Sequence, residues 1–145
     1  MSKFVLIVIL MFLGLSGCKS VKPEQLTGTW LITNDSLKNV PIELRKNSAR
    51  IVLNADGSFT AFDLPSEFHF SPDGHGPGGG KGDWKLAWQE GRLRVQLVFH
   101  EITNKGIPGP FGMPLEISRG WSSIESLYYF WGDPDSGRRV EFERK

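Results

Sequence analysis

Three histidines, one cysteine and a scatter of carboxylates and hydroxyls are the side chains with chemistry to offer. His69 and His75 flank Asp73, an arrangement from which two imidazoles and a carboxylate can converge on a metal ion. They stand in a glycine-rich stretch, where ordering the backbone costs roughly 1–2 kcal/mol per residue, so solvated loop histidines are the expected outcome. His100 closes an alternating apolar–polar run and reads as a rim or turn residue rather than a base. Serine, histidine and aspartate are all present, but no Gly-x-Ser-x-Gly elbow occurs, and residue types without geometry do not make a triad. Gly78-Gly79-Gly80-Lys81-Gly82 has the glycines of a phosphate-cradling loop. Gly82, however, stands where Ser or Thr must hold magnesium, and a strand pattern follows where a helix is needed. Asp133-Pro134-Asp135-Ser136-Gly137 opens like a calcium loop, but Arg144 occupies the twelfth position, where Glu is required. A tight turn explains those residues without an ion. Cys18 has no partner for a disulfide or a Cys-x-x-Cys redox pair. The expectation is a protein that is not an enzyme, with no catalytic residue, metal or cofactor.

Binding chemistry is better represented, because the chain carries five tryptophans. Aromatic side chains supply much of the buried area in a small core. Trp30 and Trp84, both in strand-like surroundings, are expected to be core residues or to line an interior. Tyr129 and Trp131 belong to the run Leu127-Tyr128-Tyr129-Phe130-Trp131, apolar on both faces, and are candidates for the same role. Trp88 falls in an apparent turn, and Trp121 beside Gly120 and Ser122. Aromatics at exposed-looking positions mark interaction surfaces. Phe68, Phe70 and Phe111, in glycine- and proline-rich stretches, join Trp88 as candidates for loop recognition, or as a lid over a barrel mouth.

These residues need elements to hold them, and the elements read as short strands. Residues 26–32 are β-prone and end at Asn34-Asp35, while 36–48 read as a loop with one helical turn at 42–46. Residues 50–53 and 58–62 form a hairpin across Asn54-Ala55-Asp56-Gly57, with Gly57 supplying positive φ. Residues 65–81, with Gly74, Gly76, Gly78, Gly79 and Gly80, are expected to hold no regular element and to form a long mobile loop. A strand resumes at 82–87 and turns at Gln89-Glu90-Gly91. The cleanest period of two then follows, with Leu93, Val95, Leu97 and Phe99 on one face. Residues 103–114 read as a second loop, 115–118 and 124–131 as strands, and 138–143 as a strand after the turn 132–137. About eight closely spaced strands without a long helix predict an all-β, antiparallel up-and-down barrel, which removes sticky edges and leaves room for one small ligand.

The amino terminus has its own logic. Lys3 precedes an apolar run from Phe4 to Leu15, shorter than the about 20 residues that span a bilayer, and small residues lead up to Cys18. This is the pattern of a removable export signal. Leu15-Ser16-Gly17-Cys18 resembles the lipobox of bacterial lipoproteins. That resemblance implies a signal peptide at 1–17, lipidation (palmitate included) of Cys18 as the first mature residue, and a polar tether over 18–25. Two acyl chains on one cysteine suffice for stable membrane attachment. Lys19 after the cysteine resembles the pattern sent to the outer membrane in Gram-negative bacteria. Removing 1–17 takes away Lys3 alone and leaves 16 basic and 16 acidic residues, which gives no general attraction to nucleic acid.

Residues 26–145 carry a second resemblance. Leu26-Thr27-Gly28-Thr29-Trp30 is similar to the Gly-x-Trp opening strand of the lipocalin (calycin) superfamily. Residues 53–59, Gly82-Asp83-Trp84-Lys85-Leu86 and Gly91-Arg92-Leu93 resemble small bacterial lipocalin-like lipoproteins. The family implies an arginine stacked over that tryptophan, for which Arg138, Arg139 and Arg144 are candidates. The expected protein is therefore an envelope lipoprotein, membrane-bound through Cys18, with a lipocalin-like barrel at 26–145 that binds a small apolar ligand such as a lipid or acyl chain. The alternative is a protein-interaction module, an envelope accessory, inhibitor or immunity factor, working through its Gly/Pro-rich loops.

Overall fold

The computed structural model describes residues 20–65, 78–102 and 110–145. Alternating apolar and polar residues, cut by turn chemistry, set its strands. β1 (Gly28–Ile32), β2 (Arg50–Leu53) and β3 (Ser58–Leu64) come first. β2 and β3 join where Gly57 takes φ 85° and the Asp56 carboxylate accepts from the Ser58 N–H and hydroxyl at 2.9 and 2.7 Å. β4 (Gly78–Gln89) and β5 (Arg92–Ile102) join through Glu90-Gly91 at φ 51° and 73°, the positive pair that matches strand twist in a two-residue hairpin. β6 (Phe111–Arg119), β7 (Ile124–Phe130) and β8 (Arg139–Arg144) follow. Each strand pairs antiparallel with the next, and β8 closes on β1 with Arg144 opposite Trp30 and Phe142 opposite Ile32. The result is a closed, up-and-down, eight-stranded barrel, as the strand spacing predicts and compatible with a lipocalin-like fold.

The inward-facing set fills the barrel. Trp30, Ile51, Leu53, Phe59, Leu97, Phe99, Leu115, Leu127 and Phe142 are all buried. Phe59 and Phe99 meet edge to face with centroids 4.8 Å apart, the arrangement ring quadrupoles favour. One end is plugged by Trp30, whose indole N–H donates to the Leu26 carbonyl at 2.8 Å. Among the three candidate arginines it is Arg144 that lies over the Trp30 ring, 5.0 Å from its centroid, and its guanidinium also donates to the Gln25 carbonyl. Within the stretch read as a polar tether, Pro23–Gln25 forms an exposed 3-10 turn and Val21 packs against the core.

Three stretches depart from the sequence reading. Between β1 and β2, α1 (Asn34–Lys38) stands where a loop is expected, although the 3-10 turn Ile42–Leu44 coincides with the expected helical turn. Thr33 caps α1 by accepting from the Ser36 N–H at 3.2 Å, and the Ser36 hydroxyl accepts from the Glu141 N–H at 2.7 Å, which docks the helix on β8. Second, the strand predicted to resume at 82 begins at Gly78, so the glycines at 78–80 are strand residues. A Cβ on Gly79 would strike the Ala61 carbonyl, one on Gly80 the Glu101 carbonyl, and one on Gly82 the Val98 carbonyl. These glycines admit close backbone approach at a bulge, where the β4–β5 register shifts between Lys81 and Gly82. Third, β6 starts at Phe111 and runs through Pro114, within the stretch expected to be loop.

Candidate functional site

Among the described residues the barrel wall has a long gap in its ladder between β6 and β7. β6 pairs with β5 from Phe111 to Glu116, but with β7 only from Glu116 to Arg119. β7 continues through Tyr129 and Phe130 paired to β8 alone. Residues 111–115 therefore form a local edge inside a closed barrel, which is why Pro114, lacking an N–H, is tolerated there. Between this edge and the end of β7 opens a cleft of about 1070 Å³.

Its inner wall is apolar. Phe111 and Met113 contribute from β6, Tyr129 from β7, Trp131 from just beyond it, and Pro65 from the end of β3. Trp131 is buried, while Phe111 and Tyr129 are half-buried and packed against the core. The Tyr129 hydroxyl donates to the Pro65 carbonyl, tying β7 to the far side of the cleft. Burial pushes the Tyr129 phenol well above its ordinary value of 10.0, because the phenolate would be stranded away from water. Tyr129 also leans on Phe142, with centroids 6.1 Å apart. Phe111 in turn packs on the buried Phe99 of β5, ring centroids 5.7 Å apart.

The rim is charged and comes from the outward-facing positions. Arg94 Nε donates to Glu116 Oε1 at 2.6 Å and Nη1 to Glu90 Oε2 at 3.1 Å. The Arg94 and Glu116 side chains are only 14% and 12% exposed, so this pair is a committed structural contact across β5 and β6. Burial opposes the Arg94 charge, but its bonds to Glu90 and Glu116 more than offset that, and its pKa moves upward. The Arg92 side chain, also on the rim, has no hydrogen bond or ion pair among the described residues. Asp133 and Asp135 form the opposite lip, on the turn between β7 and β8.

The candidate residues thus part company. Tyr129, Trp131 and Phe111 come together in the cleft. Trp30 is the buried end plug, and Trp84 is buried at the β2–β3 turn, its N–H donating to the Asn54 carbonyl at 2.9 Å. Trp88 lies in β4 rather than in a turn, and is 73% exposed outside the cleft. Cys18, Phe68 and Phe70 lie outside the described residues, as do His69, Asp73 and His75. Arg92 and the Arg94–Glu116 pair were not singled out from the sequence. The alternation of Arg92 and Arg94 with Leu93 and Val95 placed both on an outer face but gave no sign of a cross-strand partner.

One other polar group resembles a catalytic arrangement. His100 Nε2 lies 2.7 Å from Asp83 Oδ2 beside a shallow depression of about 250 Å³ that Ser58 also lines. The Ser58 hydroxyl donates to Asp56 and accepts from Asn54, and His100 and Asp83 are both largely exposed, so the three do not form a relay. Among the described residues no group of three or more His, Cys, Asp or Glu is placed to hold a metal, and no helix is long and apolar enough to cross a membrane. Compared with family models, curated proteins and solved structures, the chain gives no match.

Proposed function

We propose that this chain is a bacterial envelope lipoprotein, anchored by acylated Cys18, whose lipocalin-like barrel binds rather than transforms a small apolar ligand, a lipid or acyl chain, in the β6–β7 cleft. The observation that carries the reading is the cleft itself. Its volume of about 1070 Å³ exceeds the ~300 Å³ at which ligand pockets begin, and beneath a charged rim its inner wall of Phe111, Met113, Tyr129 and Trp131 offers apolar surface to a ligand. A strand gap also supplies lateral access, which a barrel filled along its axis otherwise lacks.

Trp131 reports on this site directly. Titration with a long-chain fatty acid brominated along its tail should quench Trp131 emission saturably, and Trp131→Phe should remove that quenching while calorimetry still registers binding. Absence of saturable binding in the wild-type protein would sink the ligand reading. It would favour the rival, a protein-docking module using Phe68, Phe70 and Trp88.

A further inference from the structure

Up-and-down topology sends the start of β1 and the β2–β3, β4–β5 and β6–β7 turns to the same end of the barrel, the end plugged by Leu26, Trp30 and Arg144. That end carries the two most exposed tryptophans among the described residues. Trp88, near the tip of the β4–β5 hairpin, is 73% exposed, and Trp121, in the β6–β7 turn, is 106% exposed. The two hairpins are neighbours, because β5 and β6 pair directly. Neither indole N–H has a partner among the described residues. An indole that is neither packed nor hydrogen-bonded suits a boundary between water and hydrocarbon, where its ring and its N–H are both accommodated.

The chain leading to this end is short. Val21 packs against the core and the residues after it fold onto the plug, with a 3-10 turn at Pro23–Gln25. Cys18 stands three positions before Val21, a reach of about 11 Å at full extension. An acyl anchor at Cys18 would hold the plugged end at the headgroup layer and leave the hairpin tips little choice of surroundings. We propose that this end is seated on the bilayer, with Trp88 and Trp121 in the headgroup region. The β7–β8 turn and the Asp133–Asp135 lip of the cleft then face away from the lipid. The inference rests on the acylated-Cys18 reading given above and adds an orientation to it. The 16 basic and 16 acidic residues left after position 17 make net charge a weak contributor, so zwitterionic lipid should suffice.

The test uses full-length protein lipidated in a bacterial host, reconstituted on phosphatidylcholine vesicles containing phosphatidylcholine brominated near the headgroup. Wild-type protein should float with the vesicles and lose part of its tryptophan emission to the bromolipid. Trp88→Phe and Trp121→Phe should each float and lose part of that quenching, and the double variant should float with the quenching gone. Flotation with no bromolipid quenching, or with quenching unchanged in the double variant, overturns the orientation alone. So does acrylamide quenching of Trp88 and Trp121 that is equal on and off vesicles. Wild-type protein that fails to float overturns the anchor reading and the orientation with it.

Discussion

Tyr129 shows how a single polar contact is made to matter in an apolar wall. Its ring belongs to the cleft and its hydroxyl donates to the Pro65 carbonyl, joining two strands that do not pair. The folded-state pKa of the phenol is raised above 10.0, chiefly by burial. The stabilising contribution is therefore fully present below pH 10. It declines as pH rises beyond that value, because the unfolded chain releases the proton first. Tyr129→Phe should cost about 1 kcal/mol at neutral pH through the lost hydrogen bond. It should also flatten the loss of stability between neutral and strongly alkaline pH relative to the wild type. Denaturant melts of both proteins at each pH decide this, and parallel losses would show that the hydroxyl is not sequestered. Arg94 and Glu116 are a different case. With both side chains nearly buried, removing one partner leaves the other an uncompensated charge, so the pair fixes the β5–β6 contact more than it offers a ligand handle.

At the level of elements, β4 shows what glycine can mean. The run at 78–82 is loop-like by composition, with glycine at four of its five positions, yet at Gly79, Gly80 and Gly82 neighbouring backbone leaves no room for a Cβ. Gly82→Ala should therefore destabilise by about 1–3 kcal/mol through overpacking against the Val98 carbonyl. Gly112→Ala is the matched control, since its nearest neighbour is the movable Gln96 amide, 3.0 Å away, and its loss should be small. Thermal melts giving equal losses would remove the close-approach account. The same ambiguity explains what sequence could and could not reveal. β5 was legible because Val95, Leu97 and Phe99 alternate cleanly, and the turns at Gly57 and Glu90-Gly91 because their φ requirements are local. α1 was not, since five residues are too few to display a helical period. The strand through Pro114 was hidden because proline ordinarily breaks a ladder, and only the absence of a β7 partner makes it acceptable there. The cleft was least legible, because it is created by where pairing stops between β6 and β7, a property of register rather than of any residue. Phe111, Tyr129 and Trp131 could be picked out singly, but nothing local showed that they meet.

At the scale of the whole molecule, the proposed reading separates the barrel from its attachment. The described fold runs from the residues around Val21 to Lys145, and among the described residues its core begins at Val21. Membrane attachment, on the reading proposed here, rests on the thiol of Cys18 alone, because acylation requires that sulfur and no second cysteine exists. One acyl chain would hold only marginally, whereas the two or three carried by a lipoprotein cysteine hold firmly, each buried methylene adding about 0.8 kcal/mol. Cys18→Ala should therefore accumulate with residues 1–17 uncleaved by the lipoprotein route. Its mass should lack the diacyl or triacyl increment, and no mature form should partition into detergent. The melting transition of the barrel, measured on detergent-solubilised protein, should match that of the wild type, because the described core begins at Val21. A mature Cys18→Ala chain that still enters the detergent phase would refute the anchor. A lowered melting temperature with processing lost would instead mean that residues near Cys18 belong to the folded domain.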